Sequence, residues 1–504
     1  MISTSGILVV AMFKDLFRHS FIYGIASILQ NAAGFFLLPL YTAYLTVSDY
    51  GILEAIIVSV TILISILQLG LGSALFKYYA YDETDNPEQS ANRLIISSTF
   101  FFLLIFVGCI IAAALFFVED LSVLLFDTAQ YRQLMTLLLV IVLLESMYVV
   151  PIAYLRIQNR SVVISLLRGG SFLSQVSLTI FFIVGLNQKI DGVLYARVLT
   201  GSVFAFLFVW FIRNEFVRRF SIRVIRELLS YSVFLIPVSI CNLILMMSNR
   251  YFILLFYDSE ALGLFSVPNK IASLLLLAVS AFQMAWPSIM FRIKDREDAR
   301  AVYSRVLSYY IFLFLFFLLI LSSFSGELIL LLSNSKYFAG RSYIVVLCLS
   351  YFFYGFFYVG TVGINIFKKT YYQTIATVTG AVVNLALNYW LTPIYGIMGT
   401  CIVLCVSYAL VGVLAMLFSQ RIYQVPIEWE RILKYLLSFA AIAFICALGQ
   451  AEISLTYFLL KFVVIFLLFP LVLIVTRIVT PAERRAALSS VHNLWLHVKW
   501  YHPK

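Results

Sequence analysis

Charge is what this sequence has least of. Only 12% of its 504 residues are Asp, Glu, Lys or Arg, 63% are hydrophobic, and mean hydropathy is +1.00. A soluble globular chain carries about 25% charged residues. With half that supply a water-facing surface cannot be covered, so a soluble fold is excluded and lipid replaces much of the solvent. Metal-ligand patterns are absent. The six cysteines (Cys109, Cys241, Cys348, Cys401, Cys405, Cys446) all fall in apolar runs, with no CxxC pair and no Cys/His cluster. They read as small fillers, and a zinc or dithiol site is excluded. There is no Walker motif, which argues against ATP hydrolysis, and no cofactor is expected. Long polar loops are missing too. The longest outer one, about 118–133, has room for a turn or a small helix, which weighs against a catalytic domain and so against an enzyme. Residues 1–13 lack the basic start and small-residue cleavage site of a signal peptide, and Met12 before FKDLFRHS looks like a natural start.

What is present is a series of long apolar runs. A bilayer crossing takes about 20 helical residues. Crossings are expected near 18–42, 48–73, 93–117, 134–155, 162–184 and 192–212, then 229–248, 262–285, 303–323, 342–366, 371–391, 397–418, 431–449 and 455–476. The runs are continuous rather than alternating, which excludes a barrel. The fold class is therefore an all-α integral membrane protein with about 14 transmembrane helices.

The basic residues then set the orientation. With the N-terminus inside, 27 of the 35 Lys and Arg lie on cytoplasmic segments and 6 on outer ones. Both termini are therefore expected in the cytoplasm. The net charge of +11 is thus a topology signal and gives no reason to expect nucleic acid. The densest inner segment, 213–227, carries Arg213, Arg218, Arg219, Arg223 and Arg226 against Glu215 and Glu227. It reads as an amphipathic strap at the cytoplasmic surface, or as a plain basic loop. It divides the chain into a first lobe (1–212), a linker (213–228), a second lobe (229–418), two further helices (419–477) and an amphipathic tail (478–504) with Trp495 and Trp500 as interfacial anchors.

The lobes have weak internal similarity. DYGILEAI at 49–56 resembles ALGLFSVP at 261–268, RSVVISLLRGGSFLSQ at 160–175 resembles TYYQTIATVTGAVVNL at 370–385, and IDGV at 190–193 resembles IMGT at 397–400. The pairs align Gly51 with Gly263, Gly170 with Gly380 and Gly192 with Gly399. Six crossings is an even number, so two such copies insert in the same orientation, related by an axis along the membrane normal.

An ionisable group near the middle of a crossing costs about 2.5–3.5 kcal/mol on insertion scales, so it tends to face a bundle interior or water. Glu145 and Lys270 are such groups; Glu54 and Arg197, close to the outer boundaries, either join them or snorkel, and Arg250 closes the outer end of crossing 7. Lys461 reads as snorkelling from an outer helix end. Gln30, Asn31, Asn242, Asn249, Asn384 and Asn388 add buried amides, and Pro39 and Pro237 bend or break crossings 1 and 7. Arg197, Arg250 and Lys270 in the outer half, with Arg156 near the inner end of crossing 4, would form a ladder of cations for an anionic cargo. Asn31, Asn242 and Asn249 complete the expected cavity set. Glu145 and Glu54 are the groups through which an H⁺ or Na⁺ gradient would couple, although Glu145 would equally serve as structural partner to an arginine.

These segments resemble bacterial polysaccharide biosynthesis proteins of the O-antigen and lipid-linked oligosaccharide flippase type, in the multidrug/oligosaccharidyl-lipid/polysaccharide exporter superfamily. The resemblance is carried by SFIYGIASILQNAAGFFLLPLYTAYLTVSDYGILEAI at 20–56, QLGLGSALFKYYAYD at 68–82, VPIAYLRIQNR at 150–160, SVFLIPVSICNLILMMSNRYFI at 232–253, ALGLFSVPNKIASLL at 261–275 and KKTYYQTIATVTGAVVNLALNYWLTPIYGIMGT at 368–400. It implies two six-helix lobes in a V around a central cavity, plus two C-terminal helices. It also implies movement of a polyprenyl-diphosphate-linked oligosaccharide from the cytoplasmic to the outer leaflet of the inner membrane, with a polysaccharide polymerase or co-polymerase as partner. Where the family often has Asp-Arg at the end of crossing 7, this chain has Asn249-Arg250, so the local negative charge is missing. A multidrug exporter of the same superfamily would be expected to have a more acidic cavity. A membrane-embedded glycan polymerase or transferase would need a long outer loop.

Overall fold

The computed structural model describes residues 34–79, 87–448 and 454–469. In chain order the α-helices are α1 (Leu38–Tyr44), α2 (Val47–Leu67), α3 (Leu71–Tyr78), α4 (Pro87–Phe116), α5 (Val118–Phe126), α6 (Arg132–Ser146) and α7 (Val149–Ile157). Next come α8 (Ser161–Ile180), α9 (Ile190–Phe211), α10 (Ile222–Ser232), α11 (Ile236–Phe256), α12 (Ser259–Ala272), α13 (Leu274–Ile293) and α14 (Ala299–Ser323). The last are α15 (Ser325–Leu332), α16 (Arg341–Gly360), α17 (Val362–Ile366), α18 (Tyr371–Ile422), α19 (Trp429–Leu448) and α20 (Leu455–Val463). Among the described residues there is no strand, and ten helices are long and apolar enough to cross a bilayer. The protein is an all-α, multi-pass membrane protein. Expected crossing 1 lies mostly outside the described residues, as do Gln30, Asn31, Met12 and the tail.

Several crossings are broken inside the apolar run, each for a local reason. Crossing 2 divides into α2 and α3 at Leu69 and Gly70, with φ of 51° and 67°. Crossing 4 divides into α6 and α7 four residues before Pro151, which has no N–H to give to the carbonyl of Met147. The longest helix, α18, is a hairpin. Gly396 turns the chain at φ 61° and ψ −143°, a conformation open to glycine. The two arms then run antiparallel, so Asn384 bonds Ser407 and the ring of Tyr372 lies on Phe418.

Crossing 7 departs most from its expected place. It runs over α11, seven residues later than 229–248, because residues 222–232 form the separate amphipathic helix α10. Leu235 caps the new helix and Pro237 falls in its first turn, where its missing donor costs nothing. Asn249 and Arg250 consequently sit within α11, with Phe256 its last residue, and Arg250 does not close a helix end. The strap is moored to α4: the backbone N–H of Val217 donates to Ser97 Oγ at 2.8 Å, and that of Ser221 to Ser98 Oγ at 3.0 Å. Arg218, Arg219, Arg223 and Arg226 stay exposed.

Within the first half, α9 packs on α6 and α8, and α2 and α4 pack on α6. Within the second, α16 and α11 pack on the α18 hairpin, and α14 on α16. Contact between the halves comes chiefly from α2 against α12 and α11, with α1 against α15. Two of the aligned glycines do equivalent work in the two halves. A Cβ on Gly170 would lie 3.2 Å from Phe204, and one on Gly380 would lie 2.2 Å from Val411. Phe204 and Val411 correspond at the same spacing as Gly192 and Gly399.

Helix α19 packs on α14, and α20 is tied to the second half by an ion pair. Lys461 Nζ donates to Glu327 Oε1 at 2.6 Å, with side chains only 6% and 16% exposed. Lys461 therefore does not snorkel, because a buried carboxylate on α15 holds it inside. Lys461→Ala strands that carboxylate and is expected to cost about 3–5 kcal/mol, read as a lowered unfolding midpoint in detergent. Adding Glu327→Gln should recover most of the loss.

Candidate functional site

A cavity of about 580 Å³ lies between the halves. The first half supplies the end of α2 (Ile64, Ser65, Gln68), α3, the α6–α7 break and α8; the second supplies α11 from Ile236 to Met246. The helix breaks make this space. At Leu69–Gly70 the chain turns out of the line of α2, and Gly70, Gly72 and Ser73 leave small surfaces facing inward. At the α6–α7 break, Glu145 reaches the cavity from just before the interruption and Tyr148 from within it, and Arg156 follows at the end of α7. Arg168 enters from α8, and Asn242 from α11, its Nδ2 donating to Val238 O at 3.1 Å. Among the described residues three charged side chains thus line the cavity, two arginines and one glutamate.

Glu145 is bound to Arg197 on α9. Arg197 Nε donates to Oε1 at 2.7 Å and Nη2 to Oε2 at 3.1 Å, a two-pronged pairing with side chains 16% and 25% exposed. Glu145 lines the cavity, and Arg197 is not among its lining residues.

A second embedded pair crosses between the halves. Lys270 Nζ on α12 lies 3.2 Å from Glu54 Oε1 on α2, and the Tyr50 hydroxyl donates to the same carboxylate oxygen at 3.1 Å. Glu54 is 4% exposed. Beside this pair the helices meet with almost nothing between them. A Cβ on Gly51 would lie 1.7 Å from the carbonyl oxygen of Ser259, and one on Gly263 would lie 2.1 Å from that of Val47. The contact is reciprocal: each glycine of the aligned pair faces the residue four before the other. Ser48 and Ser259 hydroxyls, 2.6 Å apart, and Asn334 Nδ2 on Thr42 O at 2.6 Å extend it. Along α2, Gly51 and Gln68 are about 25 Å apart by helical rise. The halves are therefore sealed at one end of α2 and parted at the other.

Of the cations of the expected ladder, two are paired in the structure. Arg197 and Lys270 each hold a carboxylate, because an unpaired charge in the apolar interior is costly. The two residues read as coupling groups, Glu145 and Glu54, are the ones they hold. Arg250 makes no ion pair among the described residues; its Nη1 donates to Met246 O at 3.0 Å and its guanidinium lies 5.8 Å from the Phe265 ring. Arg156 stands apart, exposed in the cavity. Arg168, counted in the sequence only as an inner-side charge, is the cavity residue that reasoning missed; its place seven residues into α8 was the available signal.

Asn249 belongs to a different, uncharged cluster. Asn388 Nδ2 donates to its Oδ1 at 3.1 Å, Ser248 Oγ donates to Asn384 Oδ1 at 2.7 Å, and Thr392 Oγ1 donates to Asn388 Oδ1 at 3.1 Å. Thr400 and Ser407 close the network from the other arm of the hairpin. Among the described residues no group of three His, Cys, Asp or Glu is placed to hold a metal.

The family model described as polysaccharide biosynthesis protein matches residues 16–294. The chain belongs to the polysaccharide biosynthesis protein family. Its fold is similar to that of the lipid II flippase MurJ in an inward closed conformation, with a TM-score of 0.75 and 16% identity over 91% of this chain and 99% of that one. It is also similar to an inward-facing multidrug resistance MATE transporter of the MOP superfamily (TM-score 0.65, 13% identity, 79% and 94% covered). A third is a mutant of the Vibrio cholerae MATE transporter VcmN (TM-score 0.56, 16% identity, 82% and 97% covered). At these identities the likeness is one of fold. No curated protein sequence matches.

Asn388 is the hub of the amide cluster, and Asn388→Ala leaves Thr392, Thr400 and Asn249 short of partners. A loss of about 1–3 kcal/mol is expected, again measured as an unfolding midpoint.

Proposed function

We propose that this protein is a flippase that carries a polyprenyl-diphosphate-linked oligosaccharide across the bacterial cytoplasmic membrane by alternating access, for synthesis of surface polysaccharide. The observation that carries the reading is the cavity between the halves, which presents Arg156 and Arg168 at the end remote from the Gly51–Gly263 seal. Family membership supports the pathway, and the fold likeness to a protein named as a lipid II flippase supports the transport of a lipid-linked glycan.

In this reading the chain makes fourteen crossings in two six-helix lobes with two helices added, and both termini lie in the cytoplasm. The charge asymmetry of the loops supports that orientation. The cavity then opens to the cytoplasm beside the basic strap, and the seal faces outward. The diphosphate enters at the arginines while the prenyl chain stays in lipid. An H⁺ or Na⁺ gradient would act through Glu145 or Glu54, and a polymerase would take up the product. Export of cationic drugs fits less well, since two arginines against one glutamate disfavour a cation.

The seal provides the test. A Ser48→Cys/Ser259→Cys pair, cross-linked by mild oxidation, is expected to abolish delivery of labelled prenyl-linked oligosaccharide to the outer leaflet of a deletion strain, and reduction should restore it. Undiminished delivery by the fully cross-linked protein would refute alternating access at this contact.

A further inference from the structure

The Glu145–Arg197 pair has the form of an occupied anion site. A guanidinium holds a phosphate with the same two-pronged edge, Nε and one Nη, that Arg197 turns to Glu145. The two partners differ in how they are held. Arg197 lies mid-helix on α9, one turn before Gly201, whose carbonyl accepts the Tyr148 hydroxyl at 2.9 Å. Glu145 is the penultimate residue of α6, directly before the break at Met147–Tyr148, and it faces the cavity. A carboxylate at a helix end therefore covers a guanidinium within a helix, and the covered side is the one a cavity ligand would approach.

We propose that Glu145 is an internal substitute for the cargo's phosphate. In the empty protein it occupies Arg197. When a diphosphate enters between Arg156 and Arg168, Glu145 swings into the cavity's water and Arg197 becomes the third arginine of the anion site. This rests on the reading of the cavity as a diphosphate site and adds to it a residue that competes with the cargo. The charges agree. Among the described residues three arginines and one glutamate would then face the cargo, a positive balance that suits a diphosphate diester carrying about one negative charge per phosphate. The displaced carboxylate stays in the positive field of Arg156 and Arg168. The exchange also ties occupancy to shape, because Arg197 and Glu145 join α9 to the α6–α7 break, and releasing Glu145 frees that break to move.

The test is binding of inorganic diphosphate and of a short-chain prenyl diphosphate to the full-length protein in lipid nanodiscs, by calorimetry. Glu145→Gln removes the competitor and should tighten binding about tenfold, the relief of a site that was mostly self-occupied. Glu145→Asp keeps the charge but shortens its reach, and should fall between the two while retaining the fold. Arg197→Gln should weaken binding, and Glu145→Gln added to it should bring no gain. A fixed structural pair predicts otherwise: loss of the Glu145 charge would favour an anion with or without Arg197, so the gain from Glu145→Gln would persist in the Arg197→Gln background, and Glu145→Asp, which keeps the charge, would bind as the unmodified protein does. That outcome overturns the proposal while leaving the diphosphate cavity standing. Unaltered binding in Arg156→Gln/Arg168→Gln would remove the cavity reading and the proposal with it.

Discussion

The structure depends on one bare contact between backbones. Where α2 meets α12, Gly51 and Gly263 each leave space that a carbonyl of the opposite helix fills, and a single methyl on either would overlap it. In lipid there is no hydrophobic drive to press helices together, so small residues and close van der Waals packing must do it. Such packing is short in range, and much of it is lost within an ångström of separation. A seal of this kind is either made or open. It also fixes the registry of the neighbouring groups: Glu54 lies one turn beyond Gly51 and Lys270 two turns beyond Gly263, which brings their charges to 3.2 Å. The seal and the ion pair are therefore one joint, and separating the glycines exposes two charges that must find water or other partners.

Three embedded charges, unlike Arg250, are held by carboxylates. Arg197 with Glu145 lies inside the first half, Lys270 with Glu54 lies between the halves, and Lys461 with Glu327 fastens α20 to the second half. Pairing removes most of the cost that each charge would carry alone in hydrocarbon. The location decides the role. The Lys461 pair is closed in on both sides and serves attachment. The other two adjoin a seam or a cavity, where relative movement of the helices changes what each charge sees.

Much of this was legible in the residues. The number and order of apolar runs follow from bilayer thickness, and most crossings fall within a few residues of expectation. The departures have physical causes. Crossing 7 was placed early because amphipathic α10 runs directly into apolar α11, and averaging over both hides the break before Pro237. Crossings 2 and 4 looked whole because Leu69–Gly70 and Met147–Tyr148 are as apolar as the helices they interrupt. The aligned glycines were visible as a repeat, but not as a contact between the repeats. The ionisable residues were recognisable as exceptional, while their partners were not. Which carboxylate meets which cation depends on rotation about each helix axis, and a sequence dominated by Leu, Ile and Phe on every face leaves that rotation undetermined. The same ambiguity sent Lys461 to the interface on paper and into the interior in the fold.

The pairing also bears on how an anion can cross at all. Moving a charged head group out of water into an apolar interior costs several kcal/mol or more per charge even after relaxation. A row of bare arginines would lower that cost for the cargo but would itself be unstable in the empty protein. An arginine neutralised by a carboxylate, as Arg197 is by Glu145, avoids both problems: an anionic ligand would then replace one anion by another, and the barrier would be the difference between two ion pairs. This arrangement requires the carboxylate to be near water when released, which holds for Glu145 at the cavity and not for Glu327. It also requires the second half to add no competing negative charge along the same wall. Among the described residues its lining of the cavity, from Ile236 to Met246, carries no carboxylate. The paired charges that adjoin the cavity or the seam thus lie in the first half and at the joint between the halves.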